Sequence, residues 1–154
     1  MAGHDKLTPS GKRFFKELKE LRKLELMVGF QHGSEKEENG ADIADVAMWN
    51  ELGTARSPPR PFLRQSVDGN ASRISAMCKA QLKAVASGEK TAKGALQALG
   101  AMQKGLIQDT IRSGDFAPNA PSTVKRKKSS KPLIDTGRMR QSVSFTIRPK
   151  GKGG

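Results

Sequence analysis

The stretch VAMWNELGTARSPPRPFLR, residues 46–64, decides how the centre of the chain folds. Apolar residues follow helical spacing over residues 41–52, which predicts a short helix with one buried stripe. That stripe consists of Ile43, Val46, Ala47, Trp49 and Leu52. Gly53 stands where a left-handed residue often caps the C-terminus of a helix, so we expect the helix to end there.

Prolines dominate the second half of the stretch. Pro58, Pro59 and Pro61 fix φ and disfavour helical geometry in the residues before them, so residues 54–60 are predicted to form a stiff, extended connector. Pro61 suits the first position of the next helix, with Phe62 as an early apolar contact.

Upstream of this stretch, the sequence predicts a helix and then a strand. Thr8 and Pro9 suit the N-cap and the first helical position, and apolar residues share one face over residues 9–21. Residues 23–30 alternate between polar and apolar and then become wholly apolar, which is typical of a strand entering a core. The polar residues 32–40 predict an exposed loop. Because the loop has one histidine among its glutamates, we expect no metal site.

Downstream, two apolar series follow helical spacing. The first runs from residue 61 to residue 85, is interrupted only by Gly69 and predicts the longest helix, with Cys78 as a small buried thiol. The second continues to residue 111, after a break at Gly88. Two helices joined by a bend and one kinked rod both fit this pattern. Residues 142–148 alternate strictly, which predicts a strand.

Positive charge is concentrated near the C-terminus. The net charge is +13; residues 1–102 hold 16 basic and 12 acidic side chains, whereas residues 103–154 hold 12 and 3. Residues 115–132 have almost no apolar side chain and predict an exposed basic arm, and residues 149–154 a flexible tail. The arm either attracts nucleic acid or an acidic protein surface, or is a solvated loop. Its basic run includes Lys125, Arg126, Lys127 and Lys128.

Enzyme signatures are absent from the sequence. It contains no phosphate-binding loop, no nucleophile elbow and no H-E-x-x-H zinc motif, and only two histidines. The Asp135-Thr136-Gly137 triplet matches aspartic-protease sites, but that chemistry needs two carboxylates sharing a proton, and here two arginines follow. We therefore expect a protein that is not an enzyme and binds no cofactor.

Together these elements predict an α+β fold. We expect one domain over residues 1–154, with a small antiparallel or mixed sheet packed against the long helix pair and shorter helices. Hydrophobic content of 35% and mean hydropathy of -0.59 describe a thin core, which favours support from neighbouring subunits. No apolar run reaches the roughly 20 residues of a membrane helix, and the first residues lack a signal-peptide pattern, so we expect synthesis in the cytoplasm and no membrane partner.

Two ordered blocks resemble one family. Trp49-Asn50-Glu51-Leu52-Gly53-Thr54, followed by Pro59-Arg60-Pro61-Phe62-Leu63-Arg64, resembles the signature of phage tail-completion and head–tail joining proteins, the small neck proteins of long-tailed bacteriophages. Pro132-Leu133-Ile134-Asp135-Thr136-Gly137-Arg138-Met139 is similar to the late segment of the same family. The two blocks bracket about three fifths of the chain.

The resemblance implies a virion structural protein that completes the tail end or joins tail to head. It would act as a homo-oligomeric ring in contact with neck, connector and tail proteins, around the channel through which genomic DNA passes. Candidate contact residues are Trp49, Arg56, Arg60, Phe62, Arg64, Lys125, Arg126, Lys127, Lys128 and Arg138. For Trp49 and Phe62, ordinary core packing is an equal alternative. The alternative function is nonspecific nucleic-acid binding by the basic C-terminal third.

Overall fold

A computed structural model describes residues 6–37, 39–113 and 137–151. The helices and strands in these ranges confirm the predicted α+β class, and the two strands pair antiparallel in one sheet. In chain order they are α1 (Pro9–Lys23), β1 (Leu24–Gly29), α2 (Ile43–Leu52), α3 (Phe62–Asp68), α4 (Ala71–Ser87), α5 (Ala92–Ser113), α6 (Arg138–Gln141) and β2 (Ser144–Pro149).

The chain divides into two compact units, each built from separate stretches of sequence. The first unit comprises the residues up to Met27, Ser72–Ala101 and the residues from Thr146 onward. The second comprises Val28–Ala71 and Met102–Phe145. The single domain predicted over residues 1–154 stays a prediction.

The core of the second unit consists of large apolar side chains. Phe62 is fully buried and meets the ring of Phe30 edge-on, with centroids 5.8 Å apart. Buried Ser66 donates its hydroxyl to the carbonyl of Leu63 and accepts from the Gln103 amide at 3.1 Å, so its polar atom is satisfied. The core comprises Ile43, Ala47, Phe62, Ile107, Ile111, Met139 and Val143.

The first unit buries smaller side chains. Its fully or nearly fully buried apolar residues in the described ranges are Val85, Ala92 and Ala95. Polar contacts supplement this core: the Glu17 carboxylate accepts from the Ala92 backbone N–H at 2.8 Å, and the Arg148 guanidinium donates to the Glu25 carboxylate at 2.7 Å.

The predicted N-terminal helix is confirmed together with its cap. Thr8 has extended backbone geometry, and its hydroxyl oxygen accepts from the Gly11 N–H at 3.1 Å, while Pro9 occupies the first position, where no N–H is needed. The two predicted strands are confirmed within two residues of their expected bounds. The exposed loop at residues 32–40 is confirmed for the residues that the structure describes.

The prediction that the longest helix runs over residues 61–85 is wrong. Two helices, α3 and α4, replace it because the chain breaks at Gly69 and Asn70, which are poor helix formers. The Asn70 side-chain amide also donates to the Ser66 carbonyl at 2.9 Å and so competes with a backbone donor. The 22-residue α5 is the longest helix described. At Gly88, with φ 85°, the chain turns, so α4 and α5 are two helices and not one kinked rod.

The buried thiol predicted at Cys78 is also wrong, because Cys78 is exposed. The inward side of α4 carries Met77, Gln81 and Val85, spaced four residues apart. Cys78 is the next residue after Met77, so it lies on a different side of the helix. Among the described residues, no helix is long and apolar enough to cross a membrane.

Candidate partner interface at the α2–α3 corner

Hydrogen bonds of one glutamate build the corner between α2 and α3. The Glu51 carboxylate accepts from the backbone N–H groups of Leu63 at 2.8 Å and Arg64 at 3.1 Å. These are unpaired donors of the first turn of α3, whose N-cap, Pro61, offers no side-chain acceptor. The N–H of Arg60 also donates to the Asn50 carbonyl, at 2.6 Å. We call the end of α2, residues 53–61 and the start of α3 the α2–α3 corner.

Gly53 permits the close approach at this corner. Its φ is 77°, which disfavours any residue with a side chain, and a Cβ there would lie 2.8 Å from the Pro59 nitrogen. The helix ends at Gly53 as predicted, but ψ of 170° takes the residue out of the left-handed helical cap that we expected and into a conformation open essentially only to glycine. Pro59 packs directly over the glycine and leaves no room for a side chain.

The connector after Gly53 is only partly extended, which corrects the prediction for residues 54–60. Thr54 and Ser57 exchange backbone hydrogen bonds of 2.9 and 3.3 Å and close a tight turn. Proline rigidity begins only at Pro58, so the first half of the connector is free to turn.

An exposed apolar surface lies along the outer side of α2. Met48 is 50% exposed, Trp49 46% and Leu52 70%. The opposite side carries the buried Ile43 and Ala47. The prediction of one buried stripe is therefore wrong for Trp49 and Leu52. Because tryptophan, methionine and arginine are enriched at protein interfaces, this surface has the composition of a binding site.

Three arginines lie on the segments that follow α2. Arg56 lies exposed on the turn after α2, and the Glu51 cap fixes the backbone of exposed Arg64 beside the end of α2. Arg60 is half-buried, and that burial lowers the pKa of its guanidinium. Phe62 is fully buried and belongs to the core, which corrects its candidacy as a contact residue.

Arg138 contacts the loop before α2 and not the α2–α3 corner. It opens α6 after Gly137, donates through Nη1 to the Lys36 carbonyl at 2.7 Å, and its Nε lies 3.7 Å from the Glu35 carboxylate. This candidate contact residue therefore ties α6 to the loop before α2. The whole predicted basic arm, residues 115–132, lies outside the described residues, and with it the candidates Lys125, Arg126, Lys127 and Lys128.

The loop before α2 is organised by Asp42. One carboxylate oxygen accepts from the Gly33 N–H at 2.7 Å and the other from the Ala44 N–H at 2.9 Å, as an N-cap of α2. These bonds, and His32 at 3.6 Å, lower the pKa of the Asp42 carboxyl below its usual value. Asp45 lies on the other side of the His32 ring, at 3.5 Å.

The loop and α6 also border a shallow polar groove of about 480 Å³. The groove is lined by Gln31, Ser34, Glu35, Arg138, Gln141, Ser142 and Ser144.

In the described part of the chain, no group of three or more His, Cys, Asp or Glu side chains is arranged to hold a metal ion.

Glu51 and Met48 are the corner residues that the sequence did not single out. Glu51 acts 12 and 13 residues along the chain, beyond the three-residue spacing of a local capping box, so no local pattern reveals it. The sequence did not reveal which side of α2 is exposed, because apolar residues occur all round this helix.

No model of a known protein family matches the chain, and no curated protein or solved structure is significantly similar to it.

Proposed function

We propose that this chain is a virion structural protein of a tailed phage or prophage that completes the tail end or joins tail to head. It acts by contact with copies of itself and with neighbouring neck and tail proteins, and not by catalysis. The observation that carries the proposal is the exposed surface of Met48, Trp49 and Leu52 on α2, with exposed Arg56 and Arg64 on the segments that follow it.

Three features of this surface support a protein partner. Its three apolar side chains lie within five residues of one helix, so they form one patch and not scattered exposure. An exposed tryptophan is also the residue type most enriched at interface hot spots, together with tyrosine and arginine. The patch also coincides with the block that resembles the neck-protein signature, whose Asn50, Glu51 and Gly53 hold the corner together.

The signature residues divide into two roles on this account. Glu51, Gly53 and Phe62 shape the corner from inside, through a cap, a close approach and core packing. Trp49 and Arg64 are presented outward by that frame. A motif that both builds and displays a contact surface fits an assembly protein better than a solvated loop.

Nonspecific nucleic-acid binding is the second candidate, favoured by the basic last third of the chain. The two candidates differ in what the purified protein does alone. Light scattering and negative-stain electron microscopy are expected to show closed rings at high protein concentration. Monomers at every concentration that also fail to join particles would contradict the assembly proposal. Monomers that bind DNA tightly at low salt would favour the second candidate.

A further inference from the structure

A row of lysines runs along α1 in the first unit. Lys12, Lys16, Lys19 and Lys23 are spaced four, three and four residues apart, so an α-helix places them on one face, over roughly 16 Å. All four side chains are exposed. We call these four residues the lysine stripe.

The opposite side of α1 faces the rest of the first unit. Phe14, Leu18 and Leu21 are half-buried on that side. The Glu17 carboxylate caps the start of α5, and the Arg13 guanidinium lies directly against Gly88 in the turn between α4 and α5. With these contacts on one side of the helix, the lysine stripe points to solvent.

The charge of the stripe is largely unneutralised. Among the described residues, only Lys23 has a carboxylate within salt-bridge distance, that of Glu20 at 3.6 Å, and both side chains are exposed. Like charges at i, i+4 disfavour a helix, so the row lowers the stability of α1 in isolation. A polyanion laid along the row would relieve that repulsion.

The regular spacing and the scarcity of exposed apolar area identify the anion. A helix that lies in a membrane surface buries a broad apolar face, and among the described residues beside the stripe Leu7 and Phe15 are the only exposed apolar ones. A nucleic-acid backbone carries one negative charge per nucleotide in a continuous line, which matches a line of cations. Single strands are held on several aromatic platforms, whereas α1 offers only Phe15 on this side, so a duplex fits better.

We propose that the lysine stripe of α1 is a docking site for the phosphate backbone of duplex DNA, bound without sequence preference. Its residues differ from those of the basic run near the C-terminus, and the proposal does not depend on the role proposed for the α2–α3 corner.

The test compares two variants of the full chain that lose the same number of charges. One replaces Lys12, Lys16, Lys19 and Lys23 by Gln, which keeps good helix propensity. The control replaces four exposed lysines that do not form one row: Lys36 in the loop before α2, Lys79 and Lys83 on α4, and Lys93 on α5. Each protein is titrated by fluorescence anisotropy into a labelled mixed-sequence duplex of about 20 base pairs over a range of salt concentrations.

We expect the stripe variant to lose about tenfold or more in affinity, and the slope of log K against log salt to fall by about 3–4, since each phosphate contact contributes about 0.9. The control variant should keep most of the affinity and the slope. Circular dichroism checks that each variant folds. If the fourfold variant does not fold, the Lys12→Gln/Lys16→Gln double variant replaces it, with an expected fall in slope of about 2.

Three results would overturn the proposal. One is a wild-type protein that does not bind the duplex, and another is an equal loss in the stripe and control variants, which would indicate bulk charge alone. The third is tighter binding of a single strand that depends on Phe15, tested with Phe15→Ala, because that would identify a stacking site instead of a duplex backbone site.

Discussion

The two units of the chain are stabilised in different ways. The second unit buries Phe62 and several isoleucines almost completely, whereas the first buries one valine and small alanines in the described residues. Because hydrophobic stabilisation grows with the apolar area removed from water, the second unit has the stronger core. The first unit supplements its smaller core with the Glu17 cap of α5 and the ion pair of Glu25 and Arg148. The difference teaches that the corner bearing the proposed interface is built on the better-packed unit.

The largest expected effect comes from the strong core. Phe62→Ala should lower the free energy of unfolding by about 3–5 kcal/mol, because it removes a fully buried ring and leaves a cavity. Val85→Ala, at the largest fully buried side chain described in the first unit, should cost roughly 2 kcal/mol. Urea unfolding of both variants measures the difference. An equal or larger loss for Val85→Ala would break the comparison between the two cores.

A pair of glycine substitutions separates corner geometry from helix propensity within the second unit. Gly53→Ala should cost about 1–3 kcal/mol, since φ is 77° and the new Cβ would meet Pro59. Gly105→Ala, inside α5 with open space around it, should instead stabilise the protein by up to about 1 kcal/mol. Thermal melts should therefore shift in opposite directions. A shift in the same direction would show that the corner tolerates a side chain.

The two units use the same capping device, which sharpens the comparison. Glu51→Ala removes the carboxylate at the start of α3, and Glu17→Ala removes the one at the start of α5. Each should cost about 1 kcal/mol, because backbone N–H groups lose their acceptor. Glu20→Ala, an exposed residue paired only with Lys23 in the described structure, should cost a few tenths at most. Chemical denaturation that ranked Glu20 equal to the other two would contradict the capping account.

Asp42 gives the second unit a pH-dependent element. Its folded-state pKa is lowered by the N–H groups of Gly33 and Ala44, so its stabilising effect is present above the ordinary carboxyl pKa and is lost as pH falls through the folded value. The stability difference between the wild type and Asp42→Ala should thus be full at neutral pH and shrink below about pH 4. A difference that stayed constant into strong acid would rule out the charged cap.

The sequence predicted those elements whose signals are local. Thr8 and Pro9 mark the start of α1, and strict alternation marks β2, because caps and strand periodicity are written within a few residues. The sequence misled where apolar residues occur all round a helix, as on α2, since periodicity then does not say which side meets the core. The prediction of one long helix failed at Gly69 and Asn70. There the Asn70 side chain donates to the Ser66 carbonyl and competes with a backbone N–H, which the apolar periodicity does not reveal.

The candidate site was predicted in part. Trp49, Arg56, Arg60, Phe62 and Arg64 lie at one corner, where Gly53 ends α2 as predicted, but the turn at Thr54–Ser57 replaces the extended connector that the prolines predicted. Which of them face outward was not predictable, since exposure depends on the cap that Glu51 supplies from 12 residues away. The lysine stripe was visible in the sequence as a spacing, but only the contacts of the other side of α1 show that it faces solvent.

The central claim is that the exposed side of α2 makes the contact that joins the head and tail of a phage. Complementation tests this claim most directly. A phage lacking this protein is supplied with wild type or with Met48→Ser/Trp49→Ala/Leu52→Ser, and infectious particles are counted and inspected by negative stain. Because these side chains are about half exposed or more, truncating Trp49 should cost less than about 1 kcal/mol of stability. The control variant, Phe15→Ala/Leu82→Ser, removes apolar side chains of the first unit that are about half exposed, as Met48 and Trp49 are. We expect the α2 variant to fold and yet leave heads and tails unjoined, while the control restores infection; normal virions from the α2 variant would contradict the claim.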